Sequence, residues 1–150
     1  MPMTVQEILD DKVGQGSRSI GVAPGAPVRE VVATMARENI GSVVVMEDGA
    51  LAGLLTLREV VHGLESRGAS LLETAAREVM NAAPVIVQPG DSADGLRAMM
   101  TERHVSHAVV MAEGKLAGII SFHDIARSAV KDVAFENKLL KQYIKNWPQT

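Results

Sequence analysis

The chain repeats itself. Laying residues 20–63 onto residues 85–128, a shift of 65 positions, aligns 44 residues without a gap, and 12 of them are identical. Val22, Pro24, Gly25, Ala33, Met35, Val44, Val45, Met46, Gly49, Leu51, Ala52 and Gly53 recur as Val87, Pro89, Gly90, Ala98, Met100, Val109, Val110, Met111, Gly114, Leu116, Ala117 and Gly118. Conservative pairs fill part of the remainder, among them Leu54 with Ile119, Thr56 with Ser121 and Glu59 with Asp124. Upstream, Glu7-Ile8-Leu9 matches Glu78-Val79-Met80 at a shift of 71, so six extra residues enter the first half between Asp10 and Ser19, a Gly-containing segment that reads as a loop. A repeat constrains the whole fold at once. Since a unit of roughly 50 residues is marginal alone, the halves are expected to pack on each other about a pseudo-twofold axis, leaving a cleft lined by equivalent residues.

Each half reads as β-α-β-β-α. A short strand at Ile20 to Val22 turns at Pro24-Gly25 into a helix whose apolar stripe is Val28, Val31, Val32, Met35 and Ala36. The β-branched run at Val43 to Val45 leads through Asp48-Gly49, a strong hairpin signal, to a strand at Leu51 to Leu55. A second helix carries Leu57, Val60, Val61 and Leu64 on one face; in the other half Glu113-Gly114 makes the turn and Phe122, Ile125, Ala126, Ala129 and Val130 line the last helix. The expected class is α/β (α+β). Its division is an N-terminal helix and loop (1–19), repeat 1 (20–67), a linker helix (68–84), repeat 2 (85–130) and a C-terminal helix (131–150). In that last helix Leu139, Leu140, Tyr143, Ile144 and Trp147 form a stripe beside Lys138, Lys141 and Lys145. So much apolar surface on one short helix calls for a cover, from its own domain or a second subunit.

Composition narrows the function. With 47% apolar and 22% charged residues the chain is globular, and without cysteine it has no disulfide framework, thiolate nucleophile or Cys-based metal site, so a cytoplasmic address is the default. A net charge of −3 with no basic stripe gives no nucleic-acid footprint. No secretory signal or membrane-length apolar run is present, which implies no membrane partner.

Motifs that carry chemistry are few. His104-x-x-His107 straddles a helix end and a strand start and lacks a carboxylate to complete a metal set, so no metal is expected. Gly90-x-x-x-x-Gly95 is followed by Leu96-Arg97 where a phosphate loop requires Lys-Ser/Thr. No nucleophile stands with an evident base and orienter, so no catalytic residue is assigned. Thr56-x-x-Glu59 and Ser121-x-x-Asp124 each precede an apolar-periodic helix, the spacing of a capping box, as do Thr4-x-x-Glu7 and Ser70-x-x-Glu73. Arg58 and His123 sit in the first turn of their helices, where a cation is disfavoured unless a bound phosphate pairs with it and with the helix N-terminus.

The two stretches Gly53-Leu-Leu-Thr56-Leu-Arg58-Glu59-Val60 and Gly118-Ile-Ile-Ser121-Phe-His123-Asp124-Ile125 resemble the Gly-h-h-Thr/Ser-x-x-Asp-h signature, with h apolar, of the cystathionine-β-synthase (CBS) domain, and the duplication resembles the tandem CBS pair, or Bateman module. The resemblance covers residues 4 to 130. It implies a stand-alone regulatory sensor, not an enzyme, that binds an adenine nucleoside or nucleotide (AMP, ADP, ATP, NAD or S-adenosylmethionine) in the cleft as a regulatory ligand and signals to a regulated protein by conformational change. It further implies a homodimer, with the C-terminal helix helping to clamp it. In that family the Asp holds ribose hydroxyls, and the Ser/Thr with a basic neighbour faces phosphate. By position, the first site would use Ser121, His123 and Asp124 with Arg18, Ile20, Ile40, Gly41 and Ser42; the second would use Thr56, Arg58 and Glu59 with Val85, Val105, Ser106 and His107. The chain departs from the pattern at Glu59, whose extra methylene displaces the carboxylate, so the Asp124 site is the better formed on this reading. An alternative is a CBS-pair interaction or assembly module that holds no ligand, which Glu59 favours.

Overall fold

A computed structural model describes residues 3–14 and 19–132 of the chain. In order, the elements are α1 (Val5–Gly14), β1 (Gly21–Val22), α2 (Val28–Glu38), β2 (Ser42–Glu47), β3 (Ala50–Thr56), α3 (Leu57–Arg67), two 3₁₀ turns (Gly68–Glu73 and Ala76–Glu78), β4 (Ile86–Val87), α4 (Ala93–Arg103), β5 (His107–Ala112), β6 (Lys115–Ser121) and α5 (Phe122–Asp132). Two three-stranded sheets result, ordered β1-β2-β3 and β4-β5-β6. In each, the first pair is parallel and the second antiparallel.

The 65-residue shift holds down to single pairings. Val44 lies opposite Gly21 and Leu54, and Val109 lies opposite Ile86 and Ile119; a bulge interrupts the hairpin at Val45/Met46 and again at Val110/Met111. Both hairpin turns take two consecutive positive φ values, 51° and 81° at Asp48-Gly49 and 52° and 77° at Glu113-Gly114, as an I′ turn demands. α2 and α4 stop at the equivalent left-handed residues Asn39 and His104, whose amides donate back to the Met35 and Met100 carbonyls.

Among the described residues, three apolar clusters hold the fold together. Repeat 1 has Val31, Met35, Val43, Val45, Leu55 and Ala76; repeat 2 has its counterparts together with Val5, Ile8 and Leu9 from α1. The third cluster, Val44, Leu54, Val109 and Ile119, consists of two residues and their own repeat mates, so it is the core of the contact between halves. Each half also lends its leading segment to the other. Thr4 bridges to Ser92, and Ala75 bridges to Pro27, the equivalent pair. Leu9 lies over Gly118 as Met80 lies over Gly53, where a Cβ would stand 2.8 Å from Leu9 Cδ2 and 2.5 Å from Met80 Sδ.

Four expectations need correction or fall elsewhere. The linker helix over 68–84 is two 3₁₀ turns followed by irregular chain, because its backbone bonds outward: Ala76 and Arg77 amides donate to Ala26 and Pro24 carbonyls, and Asn81 exchanges two bonds with Leu54. Ser70-x-x-Glu73 caps no helix, since the Ser70 hydroxyl donates to the Arg67 carbonyl inside the first 3₁₀ turn. The Asp10–Ser19 loop begins later than expected, because α1 continues through Gly14. The stripe from Leu139 to Trp147, and with it nearly all of the C-terminal helix expected over 131–150, lies outside the described residues, where α5 is the last helix.

Candidate functional site

Two cavities open between the repeats at the carboxyl ends of β3 and β6. The larger, about 430 Å³, is lined by Ile40, Gly41 and Ser42 from the α2–β2 junction and by Ser121, His123 and Asp124 from the β6–α5 junction. These six are residues the family resemblance assigns to the first site. The smaller, about 200 Å³, takes in all seven residues of the second: Thr56, Arg58, Glu59, Val85, Val105, Ser106 and His107. The volume of the first falls in the range of about 300–1,000 Å³ usual for small-molecule sites, and the second falls below it. Ile20 is not among the lining residues; its carbonyl accepts the Val44 amide at the sheet edge, and Ser19 faces the cavity instead. Arg18 lies outside the described residues.

Helix capping positions the carboxylates. At α5 the Ser121 amide donates to Asp124 Oδ2 at 2.8 Å, and the Asp124 amide donates to Ser121 Oγ at 3.1 Å. At α3 the longer Glu59 folds back, so that one oxygen, Oε1, accepts both the Thr56 amide at 2.8 Å and the Thr56 hydroxyl at 2.6 Å. The extra methylene thus keeps the reciprocal cap. Capping is therefore part of what both motifs do.

Lys12 and Arg127 join the first cavity without any sequence signal that singled them out. Lys12 Nζ lies 2.9 Å from Asp124 Oδ2 and donates to the Ile119 carbonyl at 2.7 Å; Arg127 Nη2 donates to Asp124 Oδ1 at 3.1 Å. Asp11 adds an ion pair to Arg127 at 3.9 Å, so α1 and α5 are joined by crossed pairs. Burial works to raise the Asp124 pKa, but the Ser121 amide and the Lys12 ammonium outweigh it and hold the carboxyl below its ordinary value. The only hint in the sequence is the change of shift from 71 to 65, which marks the segment carrying Lys12 as unpaired by the repeat.

Ser106 and His107 line both cavities rather than the second alone. His107 takes the place that Ser42 holds in repeat 1, its Nδ1 2.7 Å from the Ser106 hydroxyl. Burial first, and then Lys12, push its pKa below the usual value, against the pull of Asp124 and Glu59. On the other side, Arg58 Nη1 donates to the His104 carbonyl at 3.1 Å, tying α3 to the end of α4. Among the described residues no three His, Asp or Glu side chains gather as a metal set, and no helix is long and apolar enough to cross a membrane.

Two repeats of one β-α-β-β-α plan, facing each other across a cleft with a Ser/Thr-x-x-acid helix start on each side, define a class, and comparison with known proteins agrees. The CBS domain family matches residues 17–66 and 76–131, and the chain belongs to that family. A putative signal-transduction protein with CBS domains from Burkholderia ambifaria superposes with a TM-score of 0.80 at 32% identity, over 87% of this chain and 96% of that one. The mitochondrial CBS domain-containing protein CBSX3 of Arabidopsis thaliana is 28% identical over 79% of this chain, which spans only 60% of that protein's length. A CBS domain protein from Pyrobaculum aerophilum, complexed with AMP, shares the fold at a TM-score of 0.72 and 20% identity, over 89% of this chain and 99% of that one.

Proposed function

We propose that this protein is a regulatory module, not a catalyst, that senses an adenosine-containing ligand in the cleft between its repeats and passes the signal to a partner protein. The observation that carries this reading is the cavity at Asp124: a buried carboxylate at the start of α5 faces Gly41 and Ser42 of the other repeat across about 430 Å³. The AMP complex of the Pyrobaculum relative supports adenine nucleotides as the ligand class. Asp124 would take the ribose hydroxyls, Ser121 and His123 would face phosphate at the helix start, and the base would lie against Ile40 and the adjoining backbone. The Glu59 cavity is the secondary site. The setting is the cytoplasm.

The working unit is a homodimer. α3 exposes Leu57 (58%), Val61 (63%) and Leu64 (49%) along one face, and Phe122, the repeat mate of Leu57, is 39% exposed. Equivalent apolar positions at both helix starts suit a face that a second copy covers.

A second reading, an assembly module that holds no ligand, draws on one observation: Asp124 is already engaged by Lys12 and Arg127. Thermal melting separates the two. A ligand at about 100 times its dissociation constant adds roughly 2.7 kcal/mol, so AMP, ADP, ATP, NAD or S-adenosylmethionine is expected to raise the midpoint by several degrees. A melt unmoved by all five leaves the assembly reading.

A further inference from the structure

The Asp124 carboxylate is nearly full. A carboxylate offers about four acceptor positions, and three are taken, by Lys12 and the Ser121 amide on Oδ2 and by Arg127 on Oδ1. A ribose cis-diol brings two donors, so one resident must leave. The Ser121 bond belongs to the cap of α5 and is fixed by the backbone. Arg127 lies one turn along α5 from Asp124, on the same helix, with a second carboxylate, Asp11, 3.9 Å from its Nε. Lys12 has a flexible four-carbon stem and a point charge that re-pairs in any direction.

Lys12 is also a local substitute. In repeat 1 the edge of β3 is closed by main chain, with Leu54 and Asn81 exchanging two backbone bonds at 3.0 and 2.8 Å. In repeat 2 the equivalent carbonyl, that of Ile119, is met by the Lys12 ammonium, because α1 continues where the second-half chain turns to the strand. What is fixed backbone in one half is a movable cation in the other.

We propose that Lys12 is the specificity-determining residue of the Asp124 cavity: it guards the carboxylate in the free protein and, when a ribose diol takes Asp124, transfers to an anionic phosphate on the same ligand. The inference rests on the adenosine-ligand reading above and adds a selection rule to it. A phosphorylated ligand breaks one ion pair and restores another. A neutral nucleoside strands the ammonium of a side chain only 18% exposed without a counterion.

The test is isothermal titration of adenosine and AMP into the wild-type chain and into Lys12→Met and Lys12→Arg, at one ionic strength and pH 7.5. Wild type is expected to prefer AMP by at least about tenfold, the scale of one charge-assisted contact. Lys12→Met keeps the apolar stem and is expected to cut the ratio several-fold, through weaker AMP and tighter adenosine binding, leaving the part that Ser121, His123 and the helix start supply. Lys12→Arg is expected to retain the preference. A ratio near one in wild type, or a ratio unchanged by Lys12→Met, overturns the proposal while leaving the ligand reading intact. Failure of the wild-type chain to bind either compound overturns both.

Discussion

His107 stands at the middle of the cleft, on the wall that both cavities share, and its titration links the site to stability. Its folded-state pKa lies below the ordinary 6.5 because burial and Lys12 oppose the charged form. The unfolded chain therefore takes up the proton first as pH falls. The stabilisation is complete above about 6.5 and is lost as pH drops from there through the folded value. Denaturant midpoints between pH 7.5 and pH 5 are expected to decline in wild type and to decline less in His107→Gln; equal slopes would show that His107 is not the linked group. At this scale the sequence was legible for most residues with a repeat mate or a family position, but not for Ile20, whose carbonyl serves the sheet while Ser19 faces the cavity. Ser121 and Asp124, and Thr56 and Glu59, which the signature singled out, line the two cavities. Lys12 was not legible, since its segment has no counterpart in the second half and its partner Asp124 is 112 positions away. Nor was the sharing of His107, which depends on how closely the two hairpins approach.

Among the elements, the glycines before the helix starts separate two kinds of packing. At Gly53 a Cβ would meet both Met80 Sδ and, at 2.9 Å, the Asn81 carbonyl; at Gly118 it would meet Leu9 Cδ2, the end of a flexible side chain. A main-chain carbonyl that accepts the Leu54 amide, in a residue whose own amide donates back to Leu54, cannot give way. Gly53→Ala is therefore expected to cost about 1–3 kcal/mol and Gly118→Ala distinctly less, by urea denaturation. Equal costs would contradict this account of the two strand edges. The same contrast explains which elements could be read from sequence. The strands, hairpins, α2 and α4 follow from period and turn chemistry repeated twice. The 68–84 segment misled because helical-looking residues spend their backbone bonds on Pro24, Ala26 and Leu54 of repeat 1, and that exchange is tertiary.

At the scale of the whole molecule, two surfaces matter: the contact between repeats and the apolar face of α3. If the proposed homodimer uses this face, Val61→Lys, at a residue 63% exposed, leaves folding intact and lowers the mass in sedimentation velocity from dimer to monomer. A mass unchanged by the substitution would contradict the proposed dimer contact on α3. The pseudo-twofold pairing of Val44, Leu54, Val109 and Ile119 is what brings Gly41 and Ser42 opposite Ser121 and Asp124, so the cleft exists only because the halves face each other. A crystal structure of the chain with AMP tests that claim most directly. The account predicts the nucleotide between the repeats, its ribose hydroxyls within hydrogen-bond distance of the Asp124 carboxylate. Density for the nucleotide on an outer face, or a cleft left empty at saturating AMP with Lys12 still on Asp124, would contradict it.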